Sequence, residues 1–141
     1  MPGIGEQRLK HLEFVQGAIT RMAGNSMTAK GWSVALTTAL IGLATAEHSN
    51  PRLVLLALLP PLAFWTIDGY YMFLERCYRD LFDRVKGEMD DEWAGFDMTP
   101  VTTSRSYFRD GLARPAVWSI HLLIVLLGFS AWWLVTRGQR L

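Results

Sequence analysis

Three stretches of the chain lack the mixture of apolar and charged positions that gives a soluble helix its wet face. Residues 31–46 and 115–136 contain no Asp, Glu, Lys or Arg, and residues 53–74 contain only Asp68. Helices that are apolar on every side are typical of lipid surroundings. The two longer stretches exceed the roughly 20 residues that a bilayer core requires. The first stretch is shorter, but Met27–Ala29 extend it and the Lys30 side chain reaches toward the headgroups. We therefore predict an all-α membrane protein with three transmembrane helices.

Composition agrees with this prediction. Half of the 141 residues are hydrophobic and the mean hydropathy is +0.16, although 19% of the residues are charged. The length fits one small domain. The first thirty residues are polar and contain no apolar core of a signal peptide. The single cysteine, Cys77, has no partner for an internal disulfide.

The basic residues predict an orientation. Residues 1–30 and 75–114 together carry eleven Lys and Arg, whereas the turn at 47–52 and the tail after residue 136 carry three. Because basic residues accumulate on the cytoplasmic side, both richer segments are placed in the cytoplasm. The sequence thus predicts a multi-pass protein of the bacterial inner membrane, with a cytoplasmic N-terminus and a periplasmic C-terminus.

Apolar residues recur at helical spacing from residue 6 to residue 23, which predicts an amphipathic helix within the cytosolic segment 1–30. The stripe comprises Leu9, Leu12, Val15, Ile19 and Met22. Gly24-Asn25-Ser26 is a predicted break, with Asn25 or Ser26 capping the next helix. This helix packs on the protein's own cytosolic part or lies on the membrane surface.

The second span is predicted to continue as a helix into the cytosol, over 53–87 in total. A further apolar stripe runs from Leu74 to Val85, and Gly87 is a natural end. The first and second helices then form an antiparallel, cytosolic helical hairpin. Pro60-Pro61 predicts a kink. Residues 88–114 are predicted to form a cytosolic loop, with at most a short helix over 104–112, before the third span.

Polar residues within the spans are the first candidates for function, because an acid in a membrane helix is costly. Asp68 and His121 lie at similar predicted depths, together with Ser33 and Thr37 on the first span. Such a layer lines a polar cavity, conducts ions, or fixes the helices by hydrogen bonds. Alternatively, Asp68 reaches interfacial water.

A face of small side chains on the first span predicts close helix packing, against the second span or another subunit. It comprises Ala35, Ala39, Gly42 and Ala46. Catalytic, nucleotide-binding and metal-binding motifs are missing from the sequence. We expect no enzyme activity, cofactor, metal or nucleic-acid partner, and we interpret the acids of 88–97 as a solvated loop.

Two longer patterns resemble an uncharacterised family of small bacterial inner-membrane proteins. The first consists of Ile19, Arg21, Met22, Asn25, Ser26, Lys30, Gly31 and Trp32. The second consists of Phe64, Trp65, Asp68, Tyr70, Tyr71, Glu75 and Arg76. The resemblance implies no established activity. The layout of helices is also similar to small transmembrane effectors of bacterial conflict systems, a likeness of architecture only.

The resemblance implies that the polar residues of both patterns meet at the inner membrane border. In an antiparallel hairpin, Arg21 then pairs with Glu75, and Lys30 pairs with Asp68, while Arg76 lies beside Glu75 in the same cluster. The resulting hypothesis is a homo-oligomer in the lipid bilayer that forms a pore or perturbs the membrane, as a defence effector does. The alternative is a non-conducting scaffold or regulatory subunit whose cytosolic hairpin docks a partner protein.

Overall fold

The computed structural model describes residues 3–46, 51–88, 95–100 and 111–138, and every regular element within them is helical. The elements are α1 (Ile4–Ala46), α2 (Pro51–Leu56), α3 (Leu59–Gly87) and α4 (Pro115–Gly138). The prediction of an all-α protein is therefore confirmed.

α1 is one continuous helix of 43 residues, contrary to the predicted break at Gly24-Asn25-Ser26. A glycine inside a helix costs only about 0.5–1 kcal/mol, and packing readily offsets this cost. The Ser26 hydroxyl, predicted as a cap, is instead buried and bonded to α3. α1 thus continues without interruption across the predicted boundary between residues 30 and 31, and it is about 65 Å long at 1.5 Å per residue.

The two prolines separate α2 from α3 rather than bending one helix. Between these helices, the Ala57 and Leu58 amides donate to carbonyls three residues earlier, those of Val54 and Leu55, at 3.1 Å each. Pro60 follows in the first turn of α3, where a missing backbone donor carries little cost. The helix predicted over 53–87 is therefore two helices, and the second ends at Gly87.

α3 runs antiparallel to α1 and α4, and the three long helices pack against one another. At one end, Val15 and Ile19 of α1 form an apolar cluster with Leu81 and Val85 of α3. Nearer the middle, Lys30 of α1 meets α3. Leu9, which belongs to the predicted apolar stripe, is 58% exposed. The buried face of α1 instead includes His11, two residues further on.

The chain reaches α4 through a tight contact with α3. A Cβ on Gly111 would lie 2.5 Å from the Gly69 carbonyl oxygen, so the two backbones approach as only glycine permits. The Trp65 indole donates to the Leu112 carbonyl at 3.1 Å and holds this segment on α3. The short helix predicted over 104–112 lies outside the described residues except at Gly111 and Leu112, which form a helical turn.

Two segments are long and apolar enough to cross a membrane, judged by length and composition. They are Val54–Gly87 and Pro115–Arg137, with best-window mean hydropathies of 1.3 and 1.8. Only 28% and 17% of these windows are buried within the chain. Their apolar side chains therefore point mainly outward, unlike those of a core helix in a soluble protein.

Candidate functional site: a buried polar network

Asp68 lies at the centre of a polar network where α1, α3 and α4 meet. Its side chain is fully buried. The Lys30 ammonium group lies 2.7 Å from each of the two carboxylate oxygens and forms a salt bridge whose lysine side chain is 10% exposed. A buried charge requires such a partner, since desolvation of an isolated ion is very costly.

His121 of α4 approaches the same carboxylate from the opposite side. Its Nε2 lies 3.3 Å from Oδ2 of Asp68, and its Nδ1 lies 3.3 Å from the hydroxyl oxygen of Ser33. A carboxylate paired with Lys30 only accepts hydrogen bonds, so Nε2 carries the proton and donates. The structure thereby brings together three residues that the sequence predicted as one layer.

Ser26 completes the network and was missed as a site residue by sequence reasoning. Its hydroxyl donates to Oδ1 of Asp68 at 2.5 Å and accepts from Lys30 Nζ at 2.8 Å. A usable signal was present, because Ser26, Lys30 and Ser33 follow one another at spacings of four and three. These spacings place all three side chains on one side of a helix.

The order Ser33, His121, Asp68 superficially matches that of a catalytic triad. Two features argue against nucleophilic catalysis. The side chain of Ser33 is fully buried, so a substrate has no access to its oxygen. The surrounding backbone belongs to α1 and α4, where amides are used within the helices and do not form an oxyanion hole. The network is suited to joining three helices and holding compensated charge.

Thr37 lies one turn beyond Ser33 on α1 and is 3% exposed. Its hydroxyl oxygen has no hydrogen-bond partner among the described residues. Thr37 therefore lies on the predicted face of α1 but does not join the network. Within the described residues, no cluster of three His, Cys, Asp or Glu is positioned to hold a metal ion.

The second predicted ion pair is not among the contacts of the described residues. Glu75 is buried and pairs with Arg79, one turn along its own helix, at 2.6 Å. Arg21 and Arg76 are both exposed. Arg79 is close because residues four apart share a helix face, and this local pair replaces the predicted contact between helices.

The predicted small-residue face is uncovered at each of its positions that the structure describes. Ala35 and Ala39 are exposed, and a Cβ added to Gly42 would have no heavy atom within 4 Å. Ala46 closes α1, and its side chain lies outside the described part of the structure. The chain's own helices, one of the two partners considered for this face, therefore do not cover Ala35, Ala39 or Gly42.

Near the N-terminus of α1, residues 95–100 pack against the helix, a contact that the sequence did not indicate. His11 is 1% exposed and donates through Nε2 to the Asp97 carbonyl at 3.0 Å, and its ring lies 5.3 Å from that of Phe96. The Asp97 carboxylate accepts from the Thr99 amide at 2.8 Å. Hydrogen bonds from the Thr99 side chain and backbone hold the pKa of Asp97 below its ordinary value of 3.8. Of the other predicted acids of this loop, Glu88 directly follows α3, and those at 90–92 lie outside the described residues.

Comparisons with protein-family models, curated proteins and solved structures give no match. The interpretation of the network and of the helix surfaces therefore depends on their own geometry.

Proposed function

We propose that the chain is a three-span membrane protein that assembles with copies of itself around α1, and that the assembly forms a pore or perturbs the membrane. The observation that carries the proposal is the outward surface of α1. Nine residues alternate at spacings of four and three over four heptads, and all nine are exposed. We name this surface the outer face of α1; it comprises Gly17, Arg21, Gly24, Thr28, Gly31, Ala35, Thr38, Gly42 and Thr45.

The depth of α1 supports its insertion beside the two apolar helices. Lys30 and Ser33 contact Asp68 and His121, which belong to the two segments able to cross a membrane. If those segments span the bilayer, the part of α1 that touches their middle lies in the bilayer as well. The first span then carries a glycine- and threonine-rich surface, which gains less from lipid contact than the leucines of α4 do.

A neighbouring copy is the best cover for the outer face of α1. Small side chains let helices approach closely in lipid, where dispersion and hydrogen bonds replace the hydrophobic effect. Apart from the adjoining residues of α1 itself, no described residue lies within 4 Å of a Cβ placed on Gly17, Gly24, Gly31 or Gly42. Apart from Thr28, which lines a small cavity with Phe64 and Ile67 of α3, the outer face points away from the side that packs on α3. A second copy can therefore approach without disturbing the bundle.

A ring with the outer faces of α1 toward its axis has a polar lining of threonine hydroxyls and glycine backbone. In this arrangement Asp68 does not line the pore, because the carboxylate is fully buried inside each subunit. Its pairing with Lys30 and His121 supports a role in fixing the three helices. The pore hypothesis thus moves from the predicted intramembrane acid to the outer face of α1.

A non-conducting scaffold remains the second candidate because of an exposed apolar patch at the end proposed to be cytosolic. Leu9, Phe14 and Phe96 are 58%, 62% and 52% exposed, and the two phenylalanine rings are in edge contact. An exposed aromatic patch on a water-facing helix is typical of a protein-binding surface. In this alternative, the patch near the N-terminus of α1 binds a cytosolic protein, and the membrane-spanning part serves as an anchor.

Ion selectivity separates these proposals. Purified protein is measured for oligomeric mass in detergent and for ion flux in liposomes. Thr28→Glu places a ring of acids at the proposed axis and should make the pore more selective for cations than the wild-type pore is. The matched control is Thr66→Glu, an exposed threonine of α3 whose neighbours Phe64 and Ile67 line a cavity together with Thr28.

A defined oligomer whose selectivity changes with Thr28→Glu but not with Thr66→Glu supports a pore around α1. A monomer at every concentration, without ion flux, contradicts the pore and favours the scaffold. Equal effects of both acids would mean that α1 does not face the axis.

A further inference from the structure

An apolar cavity of about 340 Å³ lies between α3 and α4, next to the segment that leads into α4. Its walls include Leu62 and Trp65 on one side and Leu122 and Val125 on the other. A second cavity, of about 430 Å³, adjoins it and shares Leu62, Trp65 and Leu112. Both volumes fall within the roughly 300–1,000 Å³ of small-molecule sites.

The walls of this cavity are built from fixed parts of the fold. The Trp65 indole bonds to the Leu112 carbonyl at 3.1 Å, and the contact between Gly69 and Gly111 anchors the same segment. His121 also lines the cavity, but both of its ring nitrogens are engaged by Asp68 and Ser33. The lining therefore offers almost no free hydrogen-bonding group, and its occupant is an apolar chain.

A basic residue, Arg114, adjoins the lining of the cavity in the chain. Arg114 directly follows the lining residue Ala113 and precedes the lining residue Trp118 by one helical turn. It is partly buried, and no ion pair or hydrogen bond of its side chain occurs among the described residues. An arginine beside a tryptophan at the start of a membrane helix is typical of the headgroup level.

The depth of the cavity matches one leaflet. From Arg114 to Val125 the helix rises by about 17 Å at 1.5 Å per residue. A single leaflet contributes half of a hydrocarbon core of about 30 Å. A headgroup near Arg114 therefore leaves its acyl chain beside the walls formed by Leu122 and Val125.

We propose that this cavity binds one anionic phospholipid of the inner leaflet, with its phosphate at Arg114 and an acyl chain between α3 and α4. The inference rests on the proposed membrane insertion but not on pore formation. Guanidinium and phosphate groups form strong, geometrically specific hydrogen bonds. The net negative charge of the headgroup gives it the preference over a zwitterionic lipid.

Native mass spectrometry of the full chain in detergent tests the headgroup contact. The chain is titrated with phosphatidylglycerol or with phosphatidylcholine of the same acyl chains. Arg114→Gln should lower the affinity for phosphatidylglycerol about fivefold, the effect of one basic residue at an anionic surface. It should weaken the binding of phosphatidylcholine less, because that headgroup also has a phosphate but carries no net charge. Arg137→Gln is the control, since the Arg137 guanidinium lies over the Trp133 ring, 3.8 Å from its centre, at the other end of α4.

A second pair of variants tests the acyl-chain contact. Val125→Phe fills the cavity and should lower the binding of both lipids, whereas Leu126→Phe places the same aromatic ring at an exposed position and should not. Equal loss from Arg114→Gln and Arg137→Gln would mean general charge attraction and would overturn the proposal. Unchanged lipid binding in Val125→Phe would also overturn the proposal. So would a change in the oligomeric mass of Val125→Phe without a change in lipid binding, because it would indicate that a second copy of the chain occupies the cavity. Lipid binding measured on monomers separates this result from any failure of pore formation.

Discussion

Removal of the Lys30 side chain provides the sharpest test of the buried network. In Lys30→Met, the carboxylate of Asp68 loses the ammonium group that lies 2.7 Å from both of its oxygens. Asp68 is fully buried, and its side chain is too short for the carboxylate to reach water. Breaking a buried ion pair by removing one partner costs about 3–5 kcal/mol of unfolding free energy.

The opposite variant, Asp68→Asn, should cost less. The Lys30 side chain is 10% exposed, and its long apolar stem lets the charge move toward the headgroups. Protonation of Asp68 limits the loss of unfolding free energy in Lys30→Met. Keeping a carboxylic acid of ordinary pKa about 3.9 neutral at pH 7 costs about 4 kcal/mol, so the loss cannot exceed that value. We therefore expect Lys30→Met to lose about 3–4 kcal/mol and Asp68→Asn about 1–3 kcal/mol.

Unfolding in mixed detergent, followed by circular dichroism, measures these free energies for both single variants and for the double variant. The double variant should be more stable than the sum of the single losses predicts, with a coupling of about 2 kcal/mol or more. The reasoning is refuted if Lys30→Met loses less than about 1 kcal/mol, the value of an exposed pair. It is also refuted if the two losses simply add.

The remaining predictions concern the ends of the bundle. Leu81→Ala should lower the unfolding free energy by about 2–5 kcal/mol, because Leu81 is 1% exposed in the apolar cluster, whereas Leu123→Ala at a 57% exposed site should cost under about 0.5 kcal/mol in the same assay. Trp65→Phe removes the donor to the Leu112 carbonyl and should cost about 1–3 kcal/mol, measured by thermal unfolding. The Asp97 carboxylate contributes its full stabilisation above pH 3.8, and this stabilisation is lost as the pH falls through the lowered pKa of Asp97. The amide resonance of Thr99, which donates to this carboxylate, should therefore shift in acid in NMR spectra, and Asp97→Asn should abolish the shift.

The polar layer was accessible from sequence because membrane helices rarely contain acids. Asp68, His121 and Ser33 stand out in apolar stretches, and their depths follow from helical rise alone. Ser26 was missed because serine beside glycine is also a good helix cap, and local pattern does not separate the two roles. The contact with Asp68 that decides between them lies 42 positions away in the sequence.

Packing between helices explains the other differences. Gly24 predicts a break by propensity, yet tertiary contacts on either side keep α1 helical. Periodicity placed Leu9 on the buried stripe, whereas the structure buries His11, since residues 95–100 supply the carbonyl that its ring requires. Whether the small residues of α1 face the chain's own helices or another subunit depends on the rotation of the helix, which small residues alone do not fix.

Assembly around α1 is the central claim, and disulfide cross-linking in native membranes tests it most directly. Cys77, which is buried, is first replaced by serine, and one cysteine is then introduced at Ala35 or, as a control, at the exposed Leu123 of α4. We predict that mild oxidation yields a covalent dimer from Ala35→Cys and little from Leu123→Cys. Efficient cross-linking at Leu123 together with none at Ala35 would contradict assembly around α1.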